Sequence, residues 1–142
     1  MAKAFKFELQ DVLDFRNFEK EQAQNELAKA LAVEAQINNN LQIIASQFVL
    51  VKSQMDSFSD FEDIAAGNRR KILLESQKEE LLKQLAEAKL VSDEKRAILA
   101  EAMKKTTALE KLKEKQLAVF NEKEDRVEAE MIDDLRSKVR NQ

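Results

Sequence analysis

The side chains of this chain that could do chemistry are its 27 carboxylates and its 24 lysines and arginines, because histidine and cysteine are both missing. Without imidazole there is no base that titrates unaided near neutral pH; without a thiol there is no thiolate nucleophile or soft metal ligand. Hydrolysis by paired carboxylates is the reaction that remains. A helical surface of this composition sets Asp and Glu side by side by chance, however, and nothing in the sequence puts such a pair in a pocket. A glycine-rich phosphate loop is also lacking, since Gly67 is the sole glycine. The chain therefore reads as a binding or mechanical part rather than an enzyme, with no catalytic residue, no cofactor and no metal. Arg69-Arg70-Lys71 is its one basic cluster with a possible ligand, a phosphate or an acidic partner. A solvated cluster at the bend is the reading it suits better, although basic residues near a helix start oppose the helix dipole.

The elements that would carry these residues are helices. Proline is absent and glycine nearly so, which removes the two residues that most disrupt helix interiors. From Leu9 a heptad register runs through Leu13, Arg16, Lys20, Ala23, Leu27, Ala30, Glu34, Ile37, Leu41, Ile44, Phe48, Val51, Met55 and Phe58. Steps of four and three average 3.5 residues, the period at which two helices supercoil. Its polar exceptions, Arg16, Lys20 and Glu34, fall in the first half, so the seam should be tightest between Ile37 and Phe58. Asn38-Asn39-Asn40 lies on the outer positions, as a solvated face or a bending point. A second register holds at Leu74, Leu81, Leu85, Ala88, Ser92, Lys95, Leu99, Ala102, Thr106 and Leu109. Beyond Leu109 it is ambiguous, and a row of Leu82, Met103, Leu117 and Met131 recurs beside it at multiples of seven.

Between the registers, Ser59 and Glu62 fit a capping box and Gly67 fits a left-handed helix end. The expected fold is an all-α, antiparallel two-helix coiled-coil hairpin, a single domain over 1–142. Helix 1 would span about 8–58, the bend about 59–68 and helix 2 about 69–140; an alternative puts the reversal at Ser57–Ser59. Eight acidic and four basic residues between Glu8 and Phe58, against sixteen and eighteen from Arg69 on, favour the two arms lying together. At 1.5 Å per residue the arms would be about 75 Å and 110 Å long. Some 20 or more residues of the second arm would then lack a full partner. Net charge of −3 gives no case for nucleic acid. The longest apolar runs, such as Phe48 to Val51, are far too short to cross a bilayer, and cysteine-free composition fits a reducing compartment.

The string Phe5-x-Phe7-x-Leu9-Gln10-x-Val12-Leu13-Asp14-x-Arg16 is the most distinctive stretch. It could simply dock onto the overhanging second helix, with Phe15 and Phe18 outside the seam. Together with the long helix rich in Ala, Glu, Gln and Lys, the central break, and Met131-Ile132-Asp133-Asp134 before a basic tail, it resembles the flagellar export protein FliJ family over nearly the whole chain. The resemblance implies a non-enzymatic stalk, similar to the central stalk of rotary ATP synthases. Such a stalk engages a hexameric export ATPase and links it to a membrane export gate and to export chaperones. It would be cytoplasmic and peripheral to the inner membrane. It also implies that Phe5, Phe7, Leu9, Gln10, Val12, Leu13, Arg16, Asp133 and Asp134 engage the ATPase ring. The gate-facing region would fall around Ile72, Leu74, Leu81 and Leu85. Two other classes fit the residues: a homodimeric coiled-coil tether, which would sediment as a dimer, and a holdase-like chaperone, which would suppress aggregation of unrelated proteins.

Overall fold

A computed structural model describes residues 3–141. It is an all-α hairpin of two helices, α1 at Gln10–Asp56 and α2 at Phe61–Arg140, with no strand among the described residues. By contact the chain divides into two units. One joins the amino-terminal segment through Glu21 to the part of α2 from Ala100 on, and the other runs from Gln22 to Leu99.

In the Gln22–Leu99 unit, Ala23, Ala30, Ile37, Ile44 and Val51 of α1 are buried, with Leu74 and Ser92 of α2. Every register position of α1 in this unit is buried or half-buried, and so is every register position of α2 from Leu74 to Leu99. The heptad spacing thus specifies the seam residue by residue. Ile44, Val51 and Leu74 form a continuous core against which Phe48, Met55 and Leu81 pack. Ala23 and Ala30 replace these large side chains farther from the bend. Each missing methylene forgoes about 0.8 kcal/mol of burial, so the tight end of the seam lies toward the bend. Asn38–Asn40 produce no break in α1.

The polar interruption at Glu34 is resolved by pairing. Ser92, fully buried, donates its hydroxyl hydrogen to the Glu34 carboxylate, with the Lys89 carbonyl 3.1 Å away as a second acceptor. No buried side-chain nitrogen or oxygen among the described residues lacks a hydrogen-bond partner.

The chain reverses over residues 57–60, the alternative position, so the bend expected at about 59–68 is both earlier and shorter. Two local interactions fix this. α1 closes with Ser57 N–H on the Gln54 carbonyl at 3.2 Å and Phe58 N–H on the Met55 carbonyl at 3.1 Å. Asp60, rather than Ser59, caps α2, its carboxylate accepting from Glu62 N–H at 3.3 Å. With the helix started at Phe61, Gly67 falls inside it. No glycine has a positive φ, and the residue serves another purpose. A Cβ built there would sit 2.6 Å from Met55 Cγ and 2.7 Å from Sδ. Gly67 is a hole for Met55 beside the turn.

In the other unit, Phe7, Leu13 and Thr106 are buried. Thr106 Oγ1 shares its hydrogen between the Arg16 carbonyl across the seam, at 3.2 Å, and its own Ala102 carbonyl, at 3.1 Å. Only a small side chain lets the two backbones come that close. The register that is ambiguous in sequence continues through half-buried Lys113 and Phe120, while Leu112, Leu117 and Val119 stay exposed. The parallel row of Leu82, Met103, Leu117 and Met131 is exposed throughout. Among the described residues no ion pair closes at a spacing of four. Those formed are three apart, Arg16–Glu19, Lys29–Glu26 and Arg96–Asp93, and such exposed pairs contribute little.

Two stability measurements check this packing. Gly67→Ala should destabilise the hairpin although alanine favours helix by about 1 kcal/mol. In a double-mutant cycle with Met55→Ala, the coupling measured by denaturant unfolding should be roughly 1 kcal/mol or more. Ser92→Ala alone should lower the unfolding midpoint, whereas Glu34→Leu with Ser92→Ala should raise it, because an apolar pair needs no hydrogen bond.

Candidate functional site

The unit that joins the amino-terminal segment to the later part of α2 is assembled from a non-helical segment and two helices. Residues 3–7 are non-helical, and Gln10 N–H bonds the Phe7 carbonyl at 3.1 Å to turn the chain into α1. Phe7 is buried, and Phe5 lays its ring on Phe120 with centroids 5.5 Å apart at 55°. Gln10 is held at both ends of its amide. It donates to Asp14 at 2.9 Å and accepts from Lys113 Nζ at 2.7 Å. The distinctive amino-terminal string is therefore in large part a docking strap for α2.

This strap changes the length of the overhang. Phe7 and Phe5, which precede α1, carry cover along α2 past the start of that helix as far as Phe120. Phe120 is packed. Beyond half-buried Glu124, every residue from Asp125 to Asn141 is exposed. The overhang is shorter than 20 residues, and it carries exposed Val127, Met131, Ile132, Leu135 and Val139. Leu135 and Val139 escaped the sequence reading, although Val127, Met131, Leu135 and Val139 recur every four residues, a visible helical stripe.

The residues assigned to ATPase binding divide into two groups. Phe5, Phe7, Gln10 and Leu13 face α2 or its side chains, with Phe7 and Leu13 only 5% and 4% exposed. Arg16 is half-buried, its guanidinium 2.7 Å from Glu19 and 5.8 Å from the Phe15 ring centre. Leu9, Val12, Asp133 and Asp134 are exposed, as are Phe15 and Phe18 outside the seam. Neighbouring helical residues lie 100° apart, so Asp133 and Asp134 do not form one patch. Asp134 borders the Met131 stripe and Asp133 faces away from it.

Near the bend, the residues expected to face the gate also separate. Leu74 is buried and Leu81 and Leu85 are half-buried in the seam, whereas Ile72 is 70% exposed. Phe61, at 81% exposed, lies on the same outward stripe as Ile72, at spacings of four, three and four through Ala65 and Asn68. Sequence reasoning missed Phe61 because it fell within the bend expected at about 59–68. Arg69 and Arg70 flank the stripe in solvent, and neither they nor Lys71 form an ion pair with a described residue.

Among the described residues no three His, Cys, Asp or Glu side chains are grouped to hold a metal. No described helix is long and apolar enough to cross a membrane. What the chain presents is apolar helical stripes at its free end and beside its bend. Neither a curated protein nor a solved structure matches it. The family described as Flagellar FliJ protein matches residues 5–140. That match spans the strap, both helices and the overhang, and so the chain belongs to the flagellar FliJ family, a component of the flagellar protein export apparatus.

Proposed function

We propose that the chain is a non-enzymatic central stalk of the export machinery, whose free end seats in the hexameric export ATPase ring. The observation that carries this reading is the apolar, unpaired stretch of α2 from Val127 to Val139, next to a strapped amino terminus. Apolar side chains on a solvated helix mark a surface built for a partner. Two helices cannot contact six subunits equally. The stalk therefore acts by binding some subunit conformations more tightly than others, the only way a ligand shifts an equilibrium. Leu9, Val12, Asp133 and Asp134 make contact with the ring. Phe5, Phe7, Gln10, Leu13 and Arg16 act mainly by holding the strap and the start of α1 in place.

The outward stripe of Phe61 and Ile72 faces the export gate, with Leu74, Leu81 and Leu85 as its supporting core. The protein works in the cytoplasm, peripheral to the inner membrane, where export chaperones exchange on its exposed surface. No nucleic acid is a partner.

Titration of the protein into the matching ATPase should raise hexamer formation and turnover, and Val12→Glu or Asp134→Arg should reduce that rise with helix content unchanged. No rise with the unaltered chain would refute the stalk. Ile72→Asp should abolish capture of the gate's cytoplasmic domain at an unchanged melting temperature. Leu74→Ala should lower the melting temperature, consistent with the 2–5 kcal/mol that truncation of a buried leucine costs.

A further inference from the structure

The exposed end of α2 is a palindrome. Counting from Met131, its stripe has Val127 four residues before and Leu135 four after, then Glu124 seven before and Lys138 seven after. At 100° per residue these five positions lie within an arc of about 80° on one side of the helix. Phe120, which continues the same arc, is where the stripe leaves the cover of the strap. Charge is divided unevenly along this end of the helix. Residues 122–134 contain seven acidic and two basic side chains, and residues 135–140 contain three basic and no acidic ones.

We infer that this stripe binds the same stripe of a second copy of this chain, antiparallel, with Met131 facing Met131 on a two-fold axis. Reversal about that axis puts Val127 opposite the partner's Leu135 and Glu124 opposite the partner's Lys138, both twice over. It also lays the basic tail, residues 135–140, along residues 122–127 of the other copy, which carry three acidic and two basic side chains. A parallel pair would set Glu124 against Glu124 and Lys138 against Lys138, and like charges disfavour it. The two-fold contact is isologous and closes after two copies. It covers about 25 Å of helix, too little for an obligate dimer, and belongs in the micromolar-to-millimolar range. The inference does not rest on the ring reading. If both hold, dimer and ring-bound stalk exclude each other, because one stripe cannot serve both.

The test uses the full chain without ATPase. It contains no cysteine, so single cysteines report contacts without background. Under copper–phenanthroline oxidation, Met131→Cys should give disulfide dimers, while Ala129→Cys, near the same level on the opposite face, should not. Glu124→Cys mixed with Lys138→Cys should give the mixed dimer in preference to either homodimer. In sedimentation equilibrium, Glu124→Lys or Lys138→Glu should weaken self-association about tenfold or more, since each reverses two contacts per dimer. The double charge exchange should restore it. A chain that stays monomeric to millimolar concentration, a Glu124→Cys homodimer in preference to the mixed one, or a double exchange no better than the single changes would overturn the inference.

Discussion

A two-helix seam is narrow, so each of its layers must be filled by the right side chain or lose its share of burial altogether. There is no third element to cover a poor fit. Near the bend the layers are Ile44, Val51, Leu74 and their neighbours, and the contact is apolar and continuous. Elsewhere the layers are alanines and paired polar groups, and there the geometry depends on hydrogen bonds that each fit one register. Ser92 meets Glu34 and Thr106 meets the Arg16 carbonyl. A shift of one heptad would bury those hydroxyls against the wrong partners, at a cost that apolar layers would not impose. Strength comes from the leucine-like layers and register from the polar ones.

Because the seam takes up one stripe of each helix, other apolar stripes are left in solvent, and these are the surfaces with which such a protein can act. The strap is central to this arrangement. Through Phe5 it covers Phe120, yet it leaves Val127 exposed. It thereby decides which part of α2 is core and which part is offered. Near the bend the division is angular: Leu74 turns inward while Phe61 and Ile72 turn out.

Much of this was legible in the sequence, for a definite reason. A period of 3.5 leaves no choice of face, so the positions from Leu13 to Phe58 and from Leu74 to Leu109 could be named individually. The turn was harder. Ser59 and Asp60 are both competent caps, and a lone glycine looks like a helix end when its tertiary neighbour is unknown. Gly67 is explained by Met55, a contact between separate helices that no local pattern encodes. For the candidate site, the amino-terminal string was visible as a feature, but its division into strap and exposed positions depends on what α2 places opposite it. Ile72 and Leu74 look alike in sequence and face different ways. The overhang was overestimated because the residues before Glu8 were given no place along α2, where Phe5 in fact covers Phe120.

The account stands on one polypeptide folding back along itself, and a distance within single molecules tests that most directly. Spin labels on cysteines introduced at the exposed pair Asp14 and Glu110, and separately at Ala35 and Lys89, should be measured by pulsed resonance in an excess of unlabelled chain. The hairpin predicts distances within about 30 Å for both, two label arms beyond the 8–10 Å between packed helix axes. Distances that long dilution with unlabelled chain abolishes, or that are absent from the start, would mean that the seam joins different molecules and would contradict it.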